Sequence, residues 1–221
     1  PATVTNDTTT NYTVDISDDR SGINNDTISV TLNNEGTTLL NGATLSDGNV
    51  SYDGTTLTVS GQTYTEGQVN ATVNVDDNAT NSQQFTSNFT VDTTAPTVNS
   101  FNITNTDPSN TQDVSVELVT DEDLNGTTVS VSGAESATLD LGDFSEAENS
   151  GTFTYTATYA GSNDGDYTVT LDSATDAAGN DGANSENDTV TVDTVSPAVD
   201  NPTPATVTND TTTNYTVDIS D

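Results

Sequence analysis

The sequence predicts an all-β protein built as two sandwiches of stacked sheets, one following the other along the chain. Three observations carry that reading. Apolar residues fall on every second position over short stretches, for instance Val69, Ala71, Val73 and Val75, or Tyr167, Val169 and Leu171, and a period of two belongs to a strand with one buried face. Residues 1–18 recur without a change as residues 204–221, a period of 203. Inside that period lies a shorter one, because Val91-Asp92-Thr93-Thr94-Ala95-Pro96 returns as Val192-Asp193-Thr194-Val195-Ser196-Pro197, 101 residues later.

A unit of about one hundred residues is the usual size of an immunoglobulin-like sandwich, and a proline that cannot donate to a ladder suits the linker between two of them. The expected division is residues 1–92, residues 93–194 and, in 195–221, the start of the next copy, strung as an extended array. Pro96 to Val114 and Pro197 to Tyr215 span the same number of residues and each leads into an alternating strand. Residues 1–92 are therefore expected to lack the opening segment that residues 198–203 supply to the next copy, as in a window on a longer array.

The expected strands of the first unit carry Tyr12, Val14 and Ile16; Ile28, Val30 and Leu32; Leu57 and Val59; and Val69 to Val75 on alternate positions. Those of the second carry Val114, Val116 and Leu118; Val129 and Val131; Leu139 and Leu141; Phe153, Tyr155, Ala157 and Tyr159; Tyr167, Val169 and Leu171; and Val190 and Val192. Gly, Asn and Asp clusters separate them. The intervening strand positions are mostly Thr, Ser, Asn and Asp, and Thr combines a β-branched preference for extended backbone with a polar group for solvent.

Charge sets the environment. Thirty-five acidic residues face one basic residue, Arg20, for a formal net charge of -34. Such a chain repels itself in dilute buffer, whereas at molar salt the screening length falls to roughly 3 Å; a halophile's exterior is the expected setting. Low hydrophobicity, 29%, with high net charge is also the signature of disorder, but the sustained period-two patterning argues against it. The same sign excludes nucleic acid and anionic membrane surfaces as partners. No stretch is long and apolar enough to cross a bilayer. With no Cys, Lys or His, disulfides, thiol nucleophiles and lysine isopeptide cross-links are absent and the catalytic inventory shrinks to carboxylates, hydroxyls and Tyr. No catalytic residue and no organic cofactor are expected.

The runs YTVTLDSATDAAGN at residues 167–180, TVTVDTVSP at 189–197 and NFTVDTTAP at 88–96 resemble the bacterial and archaeal immunoglobulin-like tandem repeats of large cell-surface proteins, including the haloarchaeal type of surface or filament protein. The resemblance covers essentially the whole chain. It implies an extracellular stalk, adhesin spacer or surface-layer component, and so location more than activity.

Acidic clusters at strand ends are the candidates for metal binding, since crowded oxygen ligands suit calcium. They comprise Asp18 and Asp19 with Asp15; Asp76 and Asp77; Asp121, Glu122 and Asp123; and Asp176, Asn180 and Asp181, with Asp92 and Asp193 beside the linkers. Calcium there would clamp neighbouring sandwiches, as in cadherin-like arrays; the bland alternative is a solvated acidic surface. Arg20, in the turn Asp18-Asp19-Arg20-Ser21-Gly22, is expected to pair with a nearby carboxylate. Twelve Asn-x-Ser/Thr signals, at Asn6, Asn11, Asn25, Asn49, Asn70, Asn78, Asn88, Asn102, Asn125, Asn187, Asn209 and Asn214, are candidate sites for N-linked glycans.

The function expected from these features is a non-enzymatic structural component of an extracellular polymer, adapted to high salt, whose partners are further copies of the same repeat end to end and laterally. The alternative is an adhesin that uses the repeats as a spacer for a recognition tip.

Overall fold

The computed structural model describes residues 2–199, 217, 219 and 220. All regular structure in them is β-strand apart from one 3-10 turn, Leu141–Asp143, which takes up the expected strand position of Leu141.

The first sandwich contains β1 (Val4–Thr5), β2 (Tyr12–Asp15), β3 (Ile23–Asn34), β4 (Thr37–Ala43), β5 (Val50–Tyr52), β6 (Thr56–Val59), β7 (Gly67–Asp77) and β8 (Ser82–Val91). One sheet has the order β1-β8-β7-β3-β4 and the other β2-β6-β5. Strand β1 runs parallel to β8, with Val4 opposite Thr90.

The second contains β9 (Val98–Ile103), β10 (Asp113–Thr120), β11 (Gly126–Gly133), β12 (Ala137–Asp140), β13 (Ser145–Asn149), β14 (Thr152–Ala160), β15 (Gly165–Thr175) and β16 (Asn187–Val192). Its sheets have the orders β13-β14-β10-β9 and β12-β11-β15-β16, all antiparallel. Consecutive pairs of strands thus alternate between the two sheets, which is the immunoglobulin-like arrangement with an added strand beside the third. A short antiparallel ribbon of β17 (Ala198–Val199) and β18 (Ile219–Ser220) follows. The fold is all-β, two immunoglobulin-like sandwiches in tandem.

Each sandwich has its own core. Ile28, Val30, Leu32, Leu57, Val59, Val69, Ala71, Val73 and Val91 are buried in the first, and Val114, Val116, Leu118, Val129, Val131, Val169, Leu171 and Val190 in the second. These are the inward positions of the alternating stretches. Burying such a side chain contributes roughly 1.5–3 kcal/mol.

The sandwiches solve the same corner with different tyrosines. In the second, Tyr167 near the start of β15 is fully buried and its hydroxyl donates to the Asn163 carbonyl at 2.9 Å, four residues upstream, the tyrosine corner of this fold. Val69 sits at the matching place in the first, because Gly67 opposes Val91 as Gly165 opposes Val192. The loop before β7 instead contributes Tyr64, whose amide donates to Thr8 at 2.8 Å and whose ring lies edge-on to Phe89 with centroids 5.2 Å apart. The Tyr64 hydroxyl is buried with no hydrogen-bond partner among the described residues.

Removing the same oxygen from these two rings is expected to have opposite effects. Tyr167→Phe strands a carbonyl and destabilises the second sandwich by about 1 kcal/mol, while Tyr64→Phe removes an unpaired buried hydroxyl and stabilises the first by a comparable amount. Thermal unfolding followed by circular dichroism checks both signs.

Candidate cation site at the junction of the sandwiches

Three loops and one strand end meet where the first sandwich passes into the second. The strand end is Asp92. Its amide donates to the Thr5 carbonyl at 2.9 Å, which extends the β1–β8 ladder by one residue, and its side chain accepts from the Thr94 amide at 3.2 Å. The linker then runs to Pro96, which is buried; a Cβ on Gly182 would overlap the Pro96 carbonyl, so only glycine lets the β15–β16 loop close over the linker.

Asp176 opens that same loop. Its Oδ1 accepts from the amides of Gly179 and Asn180 at 2.7 and 2.9 Å, and its Oδ2 from Asn180 Nδ2 at 2.9 Å. Asn180 Nδ2 also donates across the junction to the Asp92 carbonyl at 2.8 Å. One asparagine side chain therefore bridges the two sandwiches. Asp176 is only 3% exposed, and a carboxylate this deep needs compensating donors or a cation.

Glu122 lies in the β10–β11 loop, which is held from several sides. Thr120 Oγ1 donates to the Glu122 carbonyl at 2.7 Å, the Leu124 amide donates to the Tyr155 hydroxyl at 2.8 Å, and that hydroxyl donates to Asp123 at 2.9 Å. Burial first, and the Asp123 carboxylate after it, raise the Tyr155 hydroxyl well above its ordinary pKa, against the Leu124 amide, which lowers it. Asp121 accepts from the Thr97 amide at 2.7 Å and so ties the loop to the linker.

The result is that carboxylate oxygens of Asp92, Glu122 and Asp176 all lie within 4.8 Å of one another. Calcium–oxygen bonds of about 2.3–2.6 Å put opposed ligands up to roughly 5 Å apart, so the spacing fits one such ion held between the three, with the Asp92 end contributed by the first sandwich and the other two by the second. The electrostatics agree. Burial pushes the Glu122 carboxyl up, and the charges of Asp176, Asp92, Asp121 and Glu66 push it further; Asp92 is raised by burial first and then by Asp176 and Glu66.

The remaining sequence candidates are engaged otherwise. Asp18 accepts from the amides of Arg20, Ser21 and Gly22, and Asp77 from those of Ala79 and Asn81, so both organise turns. The contact with Asp18 runs through the Arg20 backbone, where sequence reasoning expected an ion pair. Asp76 pairs with Asn24 across β3 and β7, and Asp19 is exposed. Asp123 faces Tyr155, Asp181 accepts from the Ala174 and Ala183 amides, and Asp193 accepts from the Val195 amide at the far end of the second sandwich. Asn6, Asn11, Asn25, Asn49, Asn70, Asn78, Asn88, Asn125 and Asn187 are exposed and Asn102 is half-buried; Asn209 and Asn214 lie outside the described residues.

Glu66 is the residue that sequence reasoning missed. Placed before the tight turn at Gly67, its Oε2 accepts from the amide and hydroxyl of Thr93 at 2.7 and 2.5 Å, which lowers its pKa. Asp164 before Gly165 does the same for Thr194 at the end of the second sandwich. An acid followed by glycine ahead of each strand, paired with the threonine of each Val-Asp-Thr, is a signal that the sequence does contain.

Fold and junction together define the class of protein: a tandem immunoglobulin-like β-sandwich chain with an acidic junction. No protein-family model matches the chain and no curated protein matches it in sequence. Among solved structures it is similar to the fibronectin(III)-like modules of Clostridium thermocellum CbhA, at 12% identity and TM-score 0.41 over 86% of this chain and 87% of that one. It is also similar to a tetra-tandem repeat from the extending region of a large adhesion protein, at 18% identity and TM-score 0.35 over 87% and 47%. A calcium-stabilised adhesin with which an Antarctic bacterium binds ice gives 21% identity and TM-score 0.31 over 91% and 49%. The chain spans about half the length of these two adhesin structures.

Because the folded pKa of Glu122 lies above its unfolded value, the folded state binds the proton more tightly, and stability falls as pH rises through the raised value. Glu122→Gln is therefore expected to raise the melting temperature at pH 7 in chelator, with the gain disappearing below about pH 4, where the parent carboxyl is itself protonated. A pH series of thermal melts on both proteins checks the crossover.

Proposed function

We propose that this chain is a non-enzymatic spacer of an extracellular surface polymer, in which tandem immunoglobulin-like sandwiches are locked end to end by calcium at their junctions. One observation carries the reading: the first sandwich supplies Asp92, the second supplies Glu122 and Asp176, and their carboxylates converge within 4.8 Å. A cation held there has ligands on both bodies, so binding resists bending at the linker.

The surface supports the same reading. Thr, Asn and Ser cover the outer faces of the sheets, as on β7, where Asn70, Thr72 and Asn74 oppose Asn88, Thr86 and Gln84 of β8. The setting is high salt, where screening removes most of the repulsion among the 35 acids. N-linked glycans would occupy exposed signals. Asn70 and Asn88 are direct cross-strand partners, so a glycan on one crowds the other.

The decisive test is calcium addition at constant ionic strength. At a hundredfold excess over its dissociation constant, calcium is expected to stabilise the chain by about 2.7 kcal/mol, and the Glu122→Gln, Asp176→Asn double variant to lose that gain. Thermal melts with calcium and with chelator read both. An equal response to calcium in parent and variant would sink this reading of the junction.

Salt itself is expected to matter more than calcium for the whole chain. Dialysis from molar salt into dilute buffer with chelator should remove the β-sheet signal in circular dichroism. A spectrum retained there would show that the two cores alone withstand the repulsion.

A further inference from the structure

Among the described residues, a single hydrogen bond joins the first sandwich directly to the second: Asn180 Nδ2 donates to the Asp92 carbonyl at 2.8 Å. The Asp92 peptide is thereby held on both sides, because its own amide donates to the Thr5 carbonyl at 2.9 Å. Asn180 Nδ2 also donates to Asp176 Oδ2 at 2.9 Å. Sequence reading counts Asn180 among the candidate oxygen ligands of a cation. Its neighbours give it the opposite part: a carbonyl and a carboxylate both accept, so the nitrogen, which carries two hydrogens, faces them.

The loop itself sets this amide in place. The Asp176 amide donates to the Asn180 carbonyl at 3.1 Å, and Asp176 Oδ1 accepts from the amides of Gly179 and Asn180. The first sandwich builds the same loop between β7 and β8. There the Asp77 amide donates to the Asn81 carbonyl at 3.0 Å, Asp77 Oδ1 accepts from the amides of Ala79 and Asn81 at 2.8 Å each, and Asp77 Oδ2 accepts from Asn81 Nδ2 at 2.7 Å. An aspartate with an asparagine four residues on thus fixes the asparagine amide by contacts inside one loop. At Asp176 the donor stands ready for Asp92, and a group already immobilised loses little further freedom when its second bond forms. Across that bond the carboxylates of Asp92, Glu122 and Asp176 face one another, and their repulsion acts to swing the strand end away.

We propose that Asn180 is the positioning residue of the junction: its amide latches the Asp92 strand end to the second sandwich without a cation, and so sets the spacing of the carboxylates that a cation then meets. The latch is independent of calcium, and its effect on calcium affinity rests on the calcium reading above. An amide suits the task because it bridges a carbonyl and a carboxylate while adding no charge. An aspartate of the same shape would turn an oxygen toward both, leaving two acceptors without a donor and a further charge in the cluster.

The chain has no cysteine, so Ser51→Cys on β5 and Thr156→Cys on β14, both exposed positions, place one spin label on each sandwich. Pulsed electron paramagnetic resonance in molar salt with chelator then reads the distribution of distances between the labels. The expected result is a distribution that widens when Asn180→Ala or Asn180→Asp is added to the labelled parent, with the circular-dichroism spectrum unchanged, since the loop keeps its backbone amide bonds in both. Asn180→Asp preserves the shape of the side chain, so widening there belongs to the lost donor. With calcium added, the Asn180→Ala chain is expected to need about tenfold more of the ion than the parent for half of the narrowing, the loss of one well-placed hydrogen bond. Equal widths in chelator for all three chains overturn the proposal, and widening in Asn180→Ala alone reduces Asn180 to a filler of space and overturns it equally. A parent narrower than both variants yet indifferent to calcium upholds the latch and sinks the calcium reading instead.

Discussion

Carboxylates with almost no cation to oppose them govern this molecule. One arginine stands against 35 acids, so acids are held by neutral donors, and the fold consists largely of arrangements that supply them. Asp18, Asp77, Asp176 and Asp181 each gather backbone amides in a turn, and Glu66 and Asp164 each gather a threonine amide and hydroxyl. Such bonds hold a carboxylate without neutralising it. Where the sandwiches meet, amides no longer suffice, because Asp92, Glu122 and Asp176 turn oxygens toward one another. Burial and the neighbouring carboxylates raise both Asp92 and Glu122 there, and a cation bound between the three would offset that repulsion.

The two sandwiches share a topology yet differ in what completes them. The second has its opening strand, its tyrosine corner at Tyr167 and a doubly paired β10. The first has Val69 in place of the corner tyrosine and Tyr64 packed from the preceding loop. The core of the first sandwich is drawn mainly from the central strands β3, β6 and β7, whose Leu32, Leu57 and Val69 are fully buried. The edge strand β2 adds one buried residue to it, Tyr12.

Much of this was legible in the sequence, for a physical reason. Alternation writes burial directly into the chain, so β7 and β15 could be read from Val69 to Val75 and from Tyr167 to Leu171. Strands without a buried face leave no such trace: β13, Ser145–Asn149, is exposed at every position and is held only by pairing with β14. The first half of β8 is likewise exposed, Phe85 included. At the junction, Asp92, Glu122 and Asp176 were all among the candidates, but so were acids that merely cap turns. Sequence spacing gives the supply of carboxylates; which of them converge depends on how the Pro96 linker packs under Gly182. Glu66 escaped because its role is a contact across 27 residues with Thr93.

Small-angle X-ray scattering of this chain at fixed, high ionic strength, with calcium and then with chelator, tests the central claim most directly. A junction locked by calcium gives one narrow distribution of distances between the two sandwiches with the ion and a broader one without it. Identical scattering in both conditions, from a chain that remains folded, would contradict the claim that a cation sets the stiffness of the junction.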